Sequence, residues 1–292
     1  MTSKENITAG IGWMLATMFC FVALDTAMKY ALVDMGFSLV QVVWARFFFA
    51  TIIALAAIGP RLAQVAVSAR PGIQFTRSIL LMVTTILFNI GIMTTPLATG
   101  LTIMFLSPFL VTILSIPFLG ERVGPRRWAG IGVGFLGALI VVKPEPGHIG
   151  IGVLFLLASA LTNATYQVAT RKLHAADGAM TSFLYTAMAG AVLSSLIVPW
   201  HWQSPDLLGW ALLVFCGLAG GVGHLCLIQS FRRAPASAVV PFSYSSLVWA
   251  TGFGLVVFGE WPPMTTFIGA GIIIATGLYI FHRERAAAKV AG

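Results

Sequence analysis

Charge is what this chain has least of. Asp, Glu, Lys and Arg make up 9% of its 292 residues, against about a quarter in a soluble domain. So few charges cannot cover the surface of a water-soluble fold, which excludes the soluble classes. Acids are the scarcer sign: nine Asp and Glu stand against 17 Lys and Arg, for a net charge of +8. The basic residues punctuate apolar runs instead of clustering, so they read as membrane-orienting charges and not as a nucleic-acid surface. Cysteine is confined to Cys20, Cys216 and Cys226, all inside apolar runs. They have neither metal-ligand spacing nor a loop position suited to a disulfide, and read as small packing residues. His-Glu-x-x-His, Gly-x-Ser-x-Gly and a P-loop are all missing. That argues against an intramembrane enzyme and against ATP-driven work, and no cofactor or metal is expected. The first apolar run is long enough to span and is not followed by a small-residue cleavage site, so it reads as a span and not as a signal peptide.

What the chain has is apolar length. A helix needs about 20 apolar residues to cross the hydrocarbon. Ten stretches qualify: Ala9 to Ala31, Leu39 to Ile58, Gln74 to Thr94, Ala98 to Phe118, Arg127 to Val142, Gly150 to Thr170, Thr181 to Pro199, Gly209 to Phe231, Ala238 to Phe258 and Thr265 to Phe281. Gly59-Pro60, the run Lys143-Pro144-Glu145-Pro146-Gly147, Ser204-Pro205-Asp206 and Trp261-Pro262-Pro263 break the pattern between them. With the N-terminus in the cytoplasm and strict alternation, every basic residue except Lys29, Arg46 and Lys143 falls on the cytoplasmic side. This lopsidedness predicts cytoplasmic termini in a multi-pass inner-membrane protein.

The two halves repeat each other. At a shift of 139, Pro96 meets Pro235, Ser107 meets Ser246 and Thr112 meets Thr251. Gly120-Glu121 meets Gly259-Glu260, and Gly130, Gly132 and Leu139 meet Gly269, Gly271 and Leu278. An odd number of helices per copy forces the second copy to enter the membrane from the other side. The expected fold is therefore all-α, with ten transmembrane helices in two inverted five-helix repeats, residues 1–143 and 148–285. Arginines follow Glu121 in a cytoplasmic turn and are absent after Glu260 in the matching external one.

The run from Leu97 to Val142, "LATGLTIMFLSPFLVTILSIPFLGERVGPRRWAGIGVGFLGALIVV", resembles the EamA module of the drug/metabolite transporter superfamily. "DTAMKYAL" (Asp25 to Leu32) and "WARFFFA" (Trp44 to Ala50) are similar to the module's first two helices, with Lys29 and Arg46 at its basic positions. Within the superfamily the chain resembles the bacterial aromatic and neutral amino-acid exporters of the YddG type. The resemblance implies a central cavity among the first four helices of each half, with the fifth and tenth peripheral. The second copy lacks the Lys and Arg of the first helix pair, so the implied site is asymmetric.

Ionisable groups inside spans are costly and default to functional candidates. Asp25 and Arg46 lie about 9 and 10 Å from the outer ends of their helices. At matched depth on consecutive helices, they are expected to form an ion pair, which either locks two helices or handles substrate and protons. Lys29, one turn above Asp25, either shares the aspartate or snorkels outward. Thr84, Asn163, Tyr166, Ser243, Tyr244 and Trp249 place hydroxyls, amides and rings at middle depth. They serve either interhelical hydrogen bonds or a cavity lining. His224 follows Gly220-Gly221-Val222-Gly223 and is either a packing histidine or a titrating one. Pro108, Pro117 and Pro241 are hinge candidates or static kinks. Gly130-x-x-x-Gly134 is either a packing face or a dimer face.

Together these features predict a secondary transporter, not an enzyme, that exports neutral and aromatic amino acids and related metabolites by alternating access, as a monomer or homodimer in the lipid bilayer. A carrier of multidrug or cationic compounds, or of nucleotide sugars and sugar phosphates, on the same fold is the alternative. A channel is the weaker one.

Overall fold

The computed structural model describes residues 6–121, 123–142, 150–173 and 176–291. Lys4, Arg122 and the breaker at 143–147 lie outside them, as do the side chains of Arg126, Ser237 and 281–291. Ten helices carry the fold, and no strand occurs among the described residues. They are α1 (Ile7–Val33), α2 (Leu39–Ile58), α3 (Pro71–Met93), α4 (Leu97–Met104 and Ser107–Leu119), α5 (Pro125–Val142), α6 (Ile151–Leu173), α7 (Ala179–Ser195), α8 (Leu207–Arg233), α9 (Ala236–Val239, a 3-10 stretch Val240–Ser245, then Ser246–Phe258) and α10 (Met264–Ala291). Seven of these segments are long and apolar enough to span by length and composition, and α5 and α10 carry shorter apolar stretches.

The helix ends follow local chemistry. Asn6, Ser38 and Asp206 cap α1, α2 and α8 by accepting the amide three residues on. The repeated Gly-Glu phrase has a steric cause. Gly120 and Gly259 adopt φ of 70° and 65°, the left-handed conformation that ends a helix and favours glycine. In both turns the glycine amide bonds back four residues and the glutamate amide six: Gly120 to Ile116 and Glu121 to Ser115, Gly259 to Leu255 and Glu260 to Gly254.

Helix pairing obeys the inversion. The most extensive contacts are α1 with α8, α3 with α6, α5 with α10 and α2 with α7. Exchanging the repeats turns the α1–α8 pair into α6–α3 and leaves α2–α7 and α5–α10 unchanged, as a two-fold axis in the membrane plane requires. The two broken helices match as well. The second halves of α4 and α9 begin at Ser107 and Ser246, which are equivalent at the 139 shift. Pro108 sits in the first turn of the second half of α4 and Pro241 in the first turn of the 3-10 stretch that interrupts α9, whereas Pro117 lies within an unbroken helix.

One packing expectation is corrected. Consecutive α1 and α2 barely touch, because α8 packs against both. Glycines on α8 make the room: Gly217 faces Phe49 and the Ala45 carbonyl, Gly221 faces Ile53, and Gly223 faces Phe21 and Cys20. Gly130 and Gly134 are covered by Ile280 of α10 and Phe109 of α4, which makes them an internal packing face. Gly217→Ala should be costly, since its methyl would stand 2.9 Å from both the Ala45 carbonyl oxygen and the Phe49 Cα, which cannot rotate away. Forced separation of α2 and α8 should cost ~1–3 kcal/mol, read as a fall in melting temperature in detergent. Gly252→Ala, with nothing within 4 Å, is the control, and equal melting of the two variants would contradict this packing.

Candidate functional site

Four predicted residues from four helices gather in the middle of the bundle: Asp25 (α1), Arg46 (α2), Tyr166 (α6) and His224 (α8). Arg46 lies within electrostatic range of Asp25 and Tyr166, and His224 within range of Arg46. Asp25, Arg46 and His224 all keep partial exposure deep in the fold. Arg46 and His224 line a pocket with Phe47, Phe183, Thr186 and Gly220. His224 stands between the rings of Phe21 and Phe183, at 5.1 and 5.2 Å.

The expected Asp25–Arg46 contact is absent. No ion pair within 4.0 Å joins them, and Arg46 Nη1 instead donates to Thr85 Oγ1 at 2.8 Å. The cause is the packing just described. With α8 against both helices, the guanidinium turns to Thr85 on α3 and stays more than 4.0 Å from the Asp25 carboxylate.

Lys29 adopts neither expected posture. It is 3% exposed and bonded to Glu260 Oε1 at 2.5 Å and to the Thr95 carbonyl at 3.1 Å, with the Phe258 ring centroid 4.9 Å from its ammonium. Thr84 and Asn163 sit on helix seams. Thr84 donates to Thr162 at 3.0 Å between α3 and α6, and Asn163 donates to Ser107 at 3.2 Å beside the α4 break. On α9, Ser243 bonds its own helix through the Val240 carbonyl. Tyr244 packs on Phe105 at 5.0 Å, and Trp249 packs edge-on to Phe19 at 5.2 Å.

Arg77 is the residue that sequence reading misplaced, counting it among the cytoplasmic charges. Because α3 begins at Pro71, Arg77 lies about 9 Å inside the helix and is buried. Its guanidinium donates to Thr170 Oγ1 (2.7 Å), the Ser182 carbonyl (3.0 Å), Thr186 Oγ1 (2.9 Å) and the Tyr166 hydroxyl (2.7 Å). Its Cζ also lies 4.7 Å from the Tyr166 ring centroid. Among the described residues no carboxylate lies within 4.0 Å of it. A signal was present in the sequence: Gln74, Arg77, Ser78, Leu81, Thr84 and Thr85 recur at helical spacing, and all six are buried.

Two loop clasps tie the halves together at the α2–α7 end of the bundle. On one face Asp177 accepts from Ser68, the Ala69 amide and Gln74. Burial pushes the Asp177 carboxyl up, but these bonds and the Arg70 charge outweigh it and hold it below the ordinary carboxylate value. On the other face Gln41 exchanges two hydrogen bonds with Gln203, at 2.8 and 2.9 Å.

Ten helices in two inverted repeats, surrounding a polar middle with an acid and a base held apart, define a membrane transporter of small molecules. The chain belongs to the EamA-like transporter family, which matches it twice, over residues 8–143 and 150–281. It is 29% identical to the S-adenosylmethionine uptake transporter of Rickettsia bellii over 97% of each chain. It is 26% identical to the riboflavin transporter of Vibrio cholerae over 97% of this chain and 96% of the relative. It is also 29% identical to the pseudopaline exporter CntI of Pseudomonas aeruginosa, over 65% and 67%. A solved crystal structure superposes with a TM-score of 0.62 at 21% identity, covering 92% of this chain and 98% of that one, and shares the fold.

Proposed function

We propose that this protein is a secondary transporter that exchanges neutral and aromatic amino acids, and metabolites built on an amino-acid headgroup, across the cytoplasmic membrane by alternating access. The observation that carries the reading is the unjoined Asp25 and Arg46. An α-amino acid presents an ammonium and a carboxylate on one carbon. Asp25 suits the ammonium, and Arg46 with Thr85 suits the carboxylate. Phe47, Phe183 and His224 then offer rings to an apolar or aromatic side chain. Relatives named for S-adenosylmethionine support the headgroup, because that metabolite carries it. In this reading the repeats 1–143 and 148–285 rock against each other, Pro108 and Pro241 free the backbone where α4 and α9 break, and both termini are cytoplasmic. Net export needs only a higher internal concentration, since a secondary carrier runs with its gradients. Phosphorylated sugars fit less well, because Arg77 is committed to neutral acceptors and leaves Arg46 as the available cation beside Asp25.

Purified protein in liposomes preloaded with phenylalanine tests the assignment. Exchange is expected against external phenylalanine, methionine or S-adenosylmethionine, and none against glucose 6-phosphate. Exchange of sugar phosphate with no response to any amino-acid compound overturns it.

A further inference from the structure

The two Gly-Glu turns do something that helix termination does not require. Glu260, in the turn after α9 of the second repeat, reaches Lys29 on α1 of the first. Its other oxygen accepts from the Leu97 amide at 3.3 Å, and Lys29 reaches the Thr95 carbonyl, so the α3–α4 turn joins the same knot. At the opposite end, Glu121, in the turn after α4 of the first repeat, faces Arg171 near the end of α6 of the second, at 3.6 Å. The two turns are equivalent at the 139 shift, and in each a turn glutamate of one repeat meets a cation near the end of the first helix of the other, although Lys29 itself matches Val168 and the Arg171 position lies further along the helix. They differ in state. Lys29 and Glu260 are 3% and 27% exposed, whereas Arg171 and Glu121 are 55% and 41% exposed. One knot is sealed and the other is open to solvent.

We propose that these pairs are reciprocal gates. In an inverted-repeat carrier, the two access states arise when the repeats exchange conformations. This structure then has the Glu260 face shut and the Glu121 face open. In the alternate state Arg171 and Glu121 close into the tight form and Lys29 and Glu260 part. At the 139 shift Thr95 and Leu97 correspond to Ala234 and Ala236, so the Ala234 carbonyl and the Ala236 amide complete the second knot. The pairs act as latches, because a buried ion pair roughly balances its own desolvation and separates at modest cost once water enters. The proposal rests on the transporter class and not on the amino-acid reading.

Thiol accessibility tests it without any substrate. Asn89 is fully buried on α3, one turn inside the helix end, beside Met28 and below the Lys29 knot. In a chain carrying Cys20→Ala, Cys216→Ala and Cys226→Ala, Asn89→Cys is the reporter for a membrane-impermeant methanethiosulfonate applied from the Glu260 face. Slow labelling is expected at first. Glu260→Gln should raise the rate about tenfold, the response to ~1.4 kcal/mol of bias between two states. The exchange Lys29→Glu with Glu260→Lys should bring it back down. Glu121→Gln should leave labelling from this face slow. Dependence on Glu260 with reagent reaching the site only from the cytoplasmic side supports the gate and reverses the orientation. A Glu260→Gln rate within twofold of its parent, or an exchange variant as reactive as the single one, overturns the gate. If the single variant elutes aggregated, the exchange variant decides: folded and slow to label supports the proposal, unfolded rejects it.

Discussion

Arg77→Leu is expected to destabilise the bundle more than any other single change near the site. One guanidinium on α3 of the first repeat bonds Tyr166 and Thr170 on α6 and Ser182 and Thr186 on α7 of the second. Hydrogen bonds to a charged group contribute roughly 1.5–3 kcal/mol each. The full sum is not lost, because Thr170 and Thr186 keep bonds to their own helices through the carbonyls four residues back. The Tyr166 hydroxyl and the apolar gap remain uncompensated, so a cost of ~3–5 kcal/mol follows, the range seen when a buried charge network is broken. For a protein of this size that is a fall in melting temperature of about 10 °C. Arg77→Lys should rescue little, since one ammonium cannot reach both α6 and α7 as a planar fork does. Thermal unfolding in detergent, followed by loss of monodisperse elution, measures this. A Leu variant that melts with the parent would show that the cross-repeat network carries no weight.

Asp25→Asn and Arg46→Gln should each leave the fold intact and weaken exchange by about one to two orders of magnitude. Each change removes one charge-assisted contact to the headgroup, worth ~1.5–3 kcal/mol, or roughly 10- to 150-fold in affinity. The double variant separates two accounts. Were the pair a helix lock, neutralising both partners would recover what either single change loses. With Arg46 turned to Thr85 and no contact to Asp25, the double variant should instead be as inactive as the worse single, at unchanged melting temperature. Liposome exchange rates beside melting curves read both quantities, and recovered transport in the double variant would restore the helix-lock account.

Much of the architecture was legible because it is governed by rules along the chain. Hydrocarbon thickness fixes the length of an apolar run, so α2 ends at Leu39 and Ile58 in sequence and structure alike. Left-handed termination favours glycine, so the Gly-Glu phrase marks two helix ends in the sequence itself. Neighbour relations were less legible. Lys29 carried no mark in the sequence to show that its partner lay 231 positions away in the other copy of that phrase.

The sequence by itself determined the number of spans, the inverted repeat and the class of protein, because burial in lipid and an odd helix count per repeat leave little choice. Only the tertiary structure decided that α8 packs against both α1 and α2, that Asp25 and Arg46 stay apart, and that Arg77 lies inside. The physical reason is that most spans present apolar residues to lipid and to neighbours alike, so hydrophobicity alone does not choose a neighbour. The choice falls to where glycines let backbones approach and where buried polar groups find partners.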